Sequence, residues 1–326
     1  WLNRGMLLDI LWGIVLILIM VISSGATVDI FEKLAHDIRV NRLMLATILV
    51  GFSTSLPELF VGLAAAFRGQ PQIALGDIVG ANLANLSWII GGAALLFGAV
   101  PVIGEYLRKE LWITMGIAMT PFLLMLDGKL TRLDGLVLVF LYLFYINNLV
   151  HHGSSPLKHL KLSGRKIVVH RLHTRMEPVV QTLKLVMGLG VLGVSAWMLV
   201  NVAVKVSGSL GVSAFFIGLI ILAMGTTLPE LVLTIMASEK REISLILGNI
   251  LGSVVVNSTL ILGIIVLVSP IGYTDSLQRG ISGLFLIIIL GLFWLFTKSK
   301  HKLERWEGAV LVGIYAMFVG IQLMLA

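Results

Sequence analysis

Ten long apolar stretches dominate this chain, at residues 7–26, 43–67, 72–98, 111–127, 134–151, 179–206, 213–238, 243–268, 280–297 and 306–326. Most approach the roughly 20 apolar residues that an α-helix needs to cross a bilayer. Together they fill most of the 326 residues and leave no room for a soluble domain. Only 13% of the residues are charged, about half the roughly 25% of soluble domains. An ordinary globular protein and a disordered chain are both excluded. A membrane β-barrel would show alternating strands, which unbroken apolar runs such as Leu136–Tyr145 do not. The first stretch is too long, and too closely followed by others, to be a cleaved signal peptide. There is no Cys, so disulfides, thiolate metal sites and Cys nucleophiles are impossible.

The net charge of +7 has to be judged by where the cations fall. With the N-terminus outside, the odd-numbered connections hold 17 Lys and Arg residues against 6 on the other side. Lys158, Lys161, Arg165, Lys166, Arg171 and Arg175 all fall in one connection, residues 152–178. Cytoplasmic loops are enriched in Lys and Arg. The 152–178 loop is therefore expected inside and both termini extracytoplasmic. The same loop region holds five of the seven His residues, His151, His152, His159, His170 and His173. A solvated basic loop beside anionic lipid accounts for it more simply than a metal or pH sensor.

Residues 51–91 align without a gap with residues 223–263, at a constant offset of 172. Thirteen of the 41 positions are identical, among them Pro57/Pro229, Glu58/Glu230, Asn85/Asn257 and three Gly pairs. Similarity between unrelated apolar helices matches Leu and Ala, not Pro, Glu and Asn in register. The chain is thus expected to be all-α, with ten transmembrane helices in two five-helix halves, 1–151 and 179–326, joined by the basic loop. An odd number of helices per half inserts the second half upside down. Inverted repeats with interrupted helices are typical of secondary transporters, with the binding site at the midplane between repeats.

Each repeat carries a hydroxyl–Pro–Glu core, Ser53-Thr54-Ser55-Leu56-Pro57-Glu58 and Gly225-Thr226-Thr227-Leu228-Pro229-Glu230. Proline lacks an N–H and frees a carbonyl about one turn earlier. That predicts free carbonyls at residues 53 and 225, with those of residues 51 and 223 nearby. Helical spacing puts the hydroxyls of Thr54 and Ser55 on the Glu58 face, and those of Thr226 and Thr227 on the Glu230 face. Each motif is an oxygen cluster with one negative charge. A single Glu of this kind is readily explained as a neutral carboxyl that holds helices together. Two copies in one setting fit that explanation poorly, and intramembrane carboxylates mark ion paths by default.

A second element follows each motif, residues 76–85 and 248–257. Its paired Gly residues permit close helix approach. Asn85, Asn257 and Ser253 could aim oxygens inward. Asp77, whose partner is Asn249, could lie near the outer mouth or touch a helix end. Two Glu balance one divalent cation, and hydroxyl, amide and carbonyl oxygens are hard donors that suit Ca²⁺ or Na⁺.

At these residues the sequence resembles the cation/Ca²⁺ antiporter superfamily, the Na⁺/Ca²⁺ exchangers and their prokaryotic relatives. That superfamily carries a G-T-S-x-P-E-like and a G-N-x-x-G-S-N-x-x-(N/D)-like motif in each of two inverted repeats. The resemblance implies Ca²⁺ extrusion driven by Na⁺ entry, with alternating access by sliding of the first and sixth helices. It implies that Glu58 and Glu230 coordinate the central Ca²⁺. It further implies that Thr54, Ser55, Thr226, Thr227 and Ser253, with the carbonyls of Gly51 and Ala223, help bind Na⁺, while Asn85 and Asn257 complete the centre. The chain departs from the pattern at Ala81 (usually Ser), Asn257 (commonly Asp), Ser53 (usually Gly), Asp77 (usually Asn) and Val254 (usually Asn). These departures leave the stoichiometry and the counter-ion open.

The expected function is a Na⁺/Ca²⁺ antiporter in a prokaryotic plasma membrane. Its partners would be Ca²⁺, Na⁺ and the lipid bilayer, with no cofactor, nucleic acid or obligatory protein partner. An H⁺/Ca²⁺ or other cation exchanger on the same scaffold is the nearest alternative, since a buried Glu pair can also carry protons. A channel or a transport-inactive regulatory protein is an alternative of another class. An enzyme finds no support, because no nucleophile–base pair, phosphate loop or metal–His motif is present.

Overall fold

The computed structural model describes residues 4–37, 50–101, 105–152, 178–239, 243–272, 276–300 and 302–326. Almost all of them are helical. Helix α1 spans Arg4–Asp37. A short α2 (Gly51–Thr54) and α3 (Leu56–Phe67) form one interrupted stretch. Helix α4 (Pro71–Ala84) continues through a wide π turn, Asn85–Ile89, into α5 (Ile90–Phe97). Helices α6 (Glu105–Leu124) and α7 (Arg132–His152) follow. Beyond the connection come α8 (Pro178–Leu210), α9 (Ala214–Phe216), a π turn (Ile217–Leu222), α10 (Ala223–Thr226) and α11 (Leu228–Glu239). The chain ends with α12 (Ile243–Val256), a π turn (Asn257–Ile261), α13 (Leu262–Val268), α14 (Ser276–Lys300) and α15 (Arg305–Leu325). The basic connection expected at 152–178 lies, apart from its two end residues, outside the described residues.

Eight helical stretches among the described residues are long and apolar enough to cross a membrane, against the ten expected. The two that fall short have visible causes. The expected stretch 43–67 is interrupted at Ser55, leaving Leu56–Phe67, and its residues 43–49 are outside the described set. In α6 the charged residues Glu105, Arg108, Lys109 and Glu110 occupy the first turns, so only Leu111–Asp127 is apolar. The exposed faces of α1, α7 and α8 carry Leu8, Ile22, Phe140, Phe144 and Val194. Such a surface suits hydrocarbon, where every backbone group is satisfied inside its own helix.

Position in the bundle follows sequence character. The stretches 71–97 and 246–268, which carry the Gly and Asn positions, are the most enclosed, each with 83% of its apolar window buried. Helices α1 and α8 pack against each other along the outside, and α1 also touches α2 and α10. Small residues let backbones meet at the centre. Gly51 lies against Gly252, where an added Cβ would come within 3.0 Å of the backbone. The related pair, 172 residues on and back, is Ala223 against Gly80. Gly76 and Gly218 likewise face the carbonyls of Phe215 and Ile73.

Two small backbone clasps join the halves at their ends. Val100–Pro101 (β1) pairs antiparallel with Lys302–Leu303 (β2), Val100 opposite Leu303. Leu130 and Ile271 exchange N–H···O bonds of 2.8 and 3.0 Å.

Close glycine contact at the centre makes a clear test. Gly80→Ala would drive a Cβ into the Leu219 carbonyl and the Ala223 side chain, so it should cost about 1–3 kcal/mol of stability. Gly92→Ala meets nothing within 4 Å, and should change stability by no more than about 0.5 kcal/mol. Thermal unfolding of the two variants in detergent distinguishes them.

Candidate ion-binding site

The site forms where both interrupted helices cross the Gly-rich helices of the opposite half. The break after α2 is a single residue, Ser55, with φ −84° and ψ 7°. The break after α10 is Thr227, with φ −81° and ψ 1°. The two are 172 residues apart. In each case proline stands at the second residue of the next helix, where no N–H is needed. The carbonyls of Ser53 and Gly225, expected to be freed by the prolines, instead accept backbone N–H groups at the breaks. The carbonyls that gather hydroxyls are those of Gly51 and Ala223. Gly51 O accepts from Thr54 Oγ1 and Ser253 Oγ, both at 3.3 Å. Ala223 O accepts from Thr227 Oγ1 at 2.7 Å and Thr226 Oγ1 at 3.4 Å.

Threonine hydroxyls turn to the opposite half rather than to their own Glu, because each break rotates the helix between hydroxyl and carboxylate. Thr54 donates to Asn249 Oδ1 at 3.0 Å, and Thr226 donates to Asp77 Oδ1 at 3.0 Å. Thr54 also lies 3.1 Å from Ser253 Oγ, and Ser253 Oγ lies 3.3 Å from Glu230 Oε1. Thr226 stands close to Glu58, and Thr54 close to Glu230, without closing a hydrogen bond to either. Each threonine thus faces the carboxylate of the other repeat.

Glu58 and Glu230 are fully buried. Both oxygens of Glu58 and Oε2 of Glu230 have no hydrogen-bond partner. Neither of the ion pairs seen, Lys205–Asp9 and Lys302–Glu304, touches them. Buried charge of this kind needs a compensating partner. Among the described residues no three His, Asp or Glu side chains close on one point. A bound cation would therefore draw most of its oxygens from hydroxyls, amides and carbonyls.

The amides sit where the π turns begin. Asn85 opens one and Asn257 the other, at related positions. A π turn releases i→i−4 carbonyls, and hydroxyls collect them here. Ser87 donates to the Leu83 carbonyl, and the related Thr259 donates to that of Val255. Wide turns of this kind recur at functional sites. Asn257 Nδ2 donates to Asn82 Oδ1 at 3.4 Å, and Asn82 Nδ2 donates to Ser258 Oγ at 2.8 Å. Both amide atoms of Asn85, Oδ1 of Asn257 and the hydroxyl of Ser55 are buried without partners. Among the candidates, Gly51, Thr54, Ser253 and Glu230 form one linked group, and Ala223, Thr226 and Thr227 another. The side chains of Ser55, Glu58 and Asn85 bond to neither.

Three features escape the sequence reading. Asp77 lies fully buried and bonds Thr226, the last residue of α10, so of the two places open to it the structure has the helix end; the identity of that partner has no sequence signal. Asn82 holds Asn257, yet its related position is Val254, so the repeat gives no signal for it. Ser87 and Thr259 do leave a signal, a hydroxyl conserved across the 172 offset just inside each π turn.

Comparison with known proteins agrees with this architecture. The putative antiporter CaxA of Alkalimonas amylolytica is 27% identical over 98% of this chain and 99% of its own length. The sodium/calcium exchanger MaX1 of Methanosarcina acetivorans is 26% identical, covering 89% of this chain and 93% of its own. Among solved structures, the sodium-calcium exchanger NCX_Mj soaked with Na⁺ and Sr²⁺ has the same fold. Its TM-score is 0.67 at 23% identity, over 97% of this chain and 98% of that one. The profile of the sodium/calcium exchanger protein family matches residues 8–150 and 180–324, one stretch on each side of the basic connection. This chain is an integral membrane protein that belongs to the sodium/calcium exchanger family.

Proposed function

We propose that the protein is a secondary antiporter that exchanges Ca²⁺ for Na⁺ by alternating access. The reading rests on one observation above all, the pair of fully buried carboxylates Glu58 and Glu230 with unpartnered oxygens at related positions. Two carboxylates neutralise one divalent cation, and the donors around them are the hard oxygens that Ca²⁺ and Na⁺ prefer. Glu58 and Glu230 are proposed to hold Ca²⁺. Thr54, Ser55, Thr226, Thr227, Ser253 and the carbonyls of Gly51 and Ala223 are proposed to bind Na⁺, with Asn85 and Asn257 completing the centre. The sodium/calcium exchanger name of the Methanosarcina relative supports the choice of ions.

The layout proposed for this task is ten helices in two inverted halves, 1–151 and 179–326, in a prokaryotic plasma membrane. The 152–178 loop is cytoplasmic and both termini are extracytoplasmic. The matched breaks at Ser55 and Thr227 and the matched π turns at Asn85 and Asn257 support the two-repeat reading. Helices α1 and α8, which pair on the outside and lie over the breaks, are the elements proposed to slide.

In proteoliposomes an imposed Na⁺ gradient should drive ⁴⁵Ca²⁺ uptake. Glu58→Gln or Glu230→Gln should reduce it to background, since each removes one of the two carboxylates proposed to hold Ca²⁺. Uptake that ignores Na⁺ and follows a pH gradient would replace this reading with an H⁺/Ca²⁺ exchanger. Ala81 is the partner position of Ser253 and lacks its hydroxyl. Ala81→Ser should restore that oxygen beside Thr226 and lower the Na⁺ concentration for half-maximal exchange. An unchanged Na⁺ dependence would mean that position 81 does not face the ions.

A further inference from the structure

Asp77 and Asn249 stand at related positions, and each accepts a threonine hydroxyl from the other half at 3.0 Å. The geometry is matched and the charge is not. Asp77 is fully buried, one oxygen bonds Thr226, and the other, Oδ2, has no partner. Through that bond Asp77 is joined to the oxygen group of Ala223, Thr226 and Thr227. Thr226 is the residue through which Asp77 reaches that group.

A threonine hydroxyl has one proton and two lone pairs. When the proton is committed to a carboxylate, both lone pairs are left for a cation. A carboxylate behind a ligand also makes it more basic, as outer partners do for metal-bound histidines. Asn249 orients Thr54 in the same way but adds no charge.

Resting on the ion site proposed above, we propose that Asp77 is a specificity-determining residue that makes the two halves of the site unequal. It fixes the Thr226 hydroxyl with its oxygen free for a cation, and it adds a third negative charge on that side. The attraction scales with the charge of the cation, so Asp77 favours a divalent ion over a monovalent one.

Asp77→Asn tests this closely. The amide keeps the accepting oxygen and the shape already present at Asn249, and removes only the charge. Binding is measured on the purified full-length protein in detergent, by ⁴⁵Ca²⁺ equilibrium binding and by Na⁺ titration, with thermal unfolding as the check on folding. Ca²⁺ affinity should fall about tenfold or more, and Na⁺ affinity by only about the square root of that factor, because the lost interaction is proportional to cation charge. Equal loss for both ions, which a merely structural role would give, or no loss, overturns the proposal. Asn249→Asp places a carboxylate behind Thr54 and should tighten Ca²⁺ about tenfold by the same Coulomb argument. This second variant decides the matter if Asp77→Asn does not fold, and unchanged Ca²⁺ affinity in it overturns the proposal. Failure of the underlying reading looks different. Wild-type protein that binds no Ca²⁺ removes both, whereas Ca²⁺-binding wild type with an unaffected Asp77→Asn removes only the role of Asp77.

Discussion

Two carboxylates held away from water in an apolar bundle are the condition on which the rest of this structure depends. Burying an ion costs several kcal/mol even after the protein relaxes. Among the described residues no ion pair with Lys or Arg relieves Glu58 or Glu230, and their own hydrogen bonds are few. The surrounding elements supply oxygen as well as apolar packing. Helix breaks at Ser55 and Thr227 gather hydroxyls around the Gly51 and Ala223 carbonyls, and π turns open at the buried Asn85 and Asn257. Glycine contacts such as Gly51 against Gly252 hold the crossing helices close enough for these short side chains to meet.

The linkage between halves follows from that closeness. Thr54 bonds residues of the second half, Asn249 and Ser253, and Thr226 bonds Asp77 of the first. Neither half completes its own oxygen cluster. Hydrogen bonds to partners left buried are costly to break, so the halves are tied at the centre by polar contacts. At the ends they are tied by the β1–β2 pair and the Leu130–Ile271 bridge.

Much of this was legible in the sequence because the chain states it twice. Matching of residues 51–91 with 223–263 located both interruptions and both amide positions before any coordinates. Helical spacing misled where the helix itself is broken. Thr54 was expected on the face of Glu58, yet with ψ near 0° at Ser55 it turns across to the second half. For Asp77 the sequence leaves an outer mouth or a helix end open, and its partner Thr226, the last residue of α10 and 149 residues away, is visible only in three dimensions. Asn82 had no repeat partner to betray it. The count of spans fell short where charged residues open α6 and where Ser55 interrupts the second stretch.

The two departures at Asp77 and Asn257 gain sense when taken together. The resemblance leads one to expect Asn at the first position and, commonly, Asp at the second. Here the acid stands at 77 and the amide at 257, so the number of carboxylates around the centre is unchanged while their place is not. Each exchanged residue has a partner suited to it. Asn257, able to donate, finds the Asn82 carbonyl oxygen, and Asp77, able only to accept, finds the Thr226 hydroxyl. A carboxylate at 257 would be met by an N–H with the Asn82 amide turned over, its oxygen then accepting from the Ser258 hydroxyl. The local hydrogen bonding at 257 therefore accommodates the amide as it stands, and the exchanged acid stands at 77, on the Thr226 side.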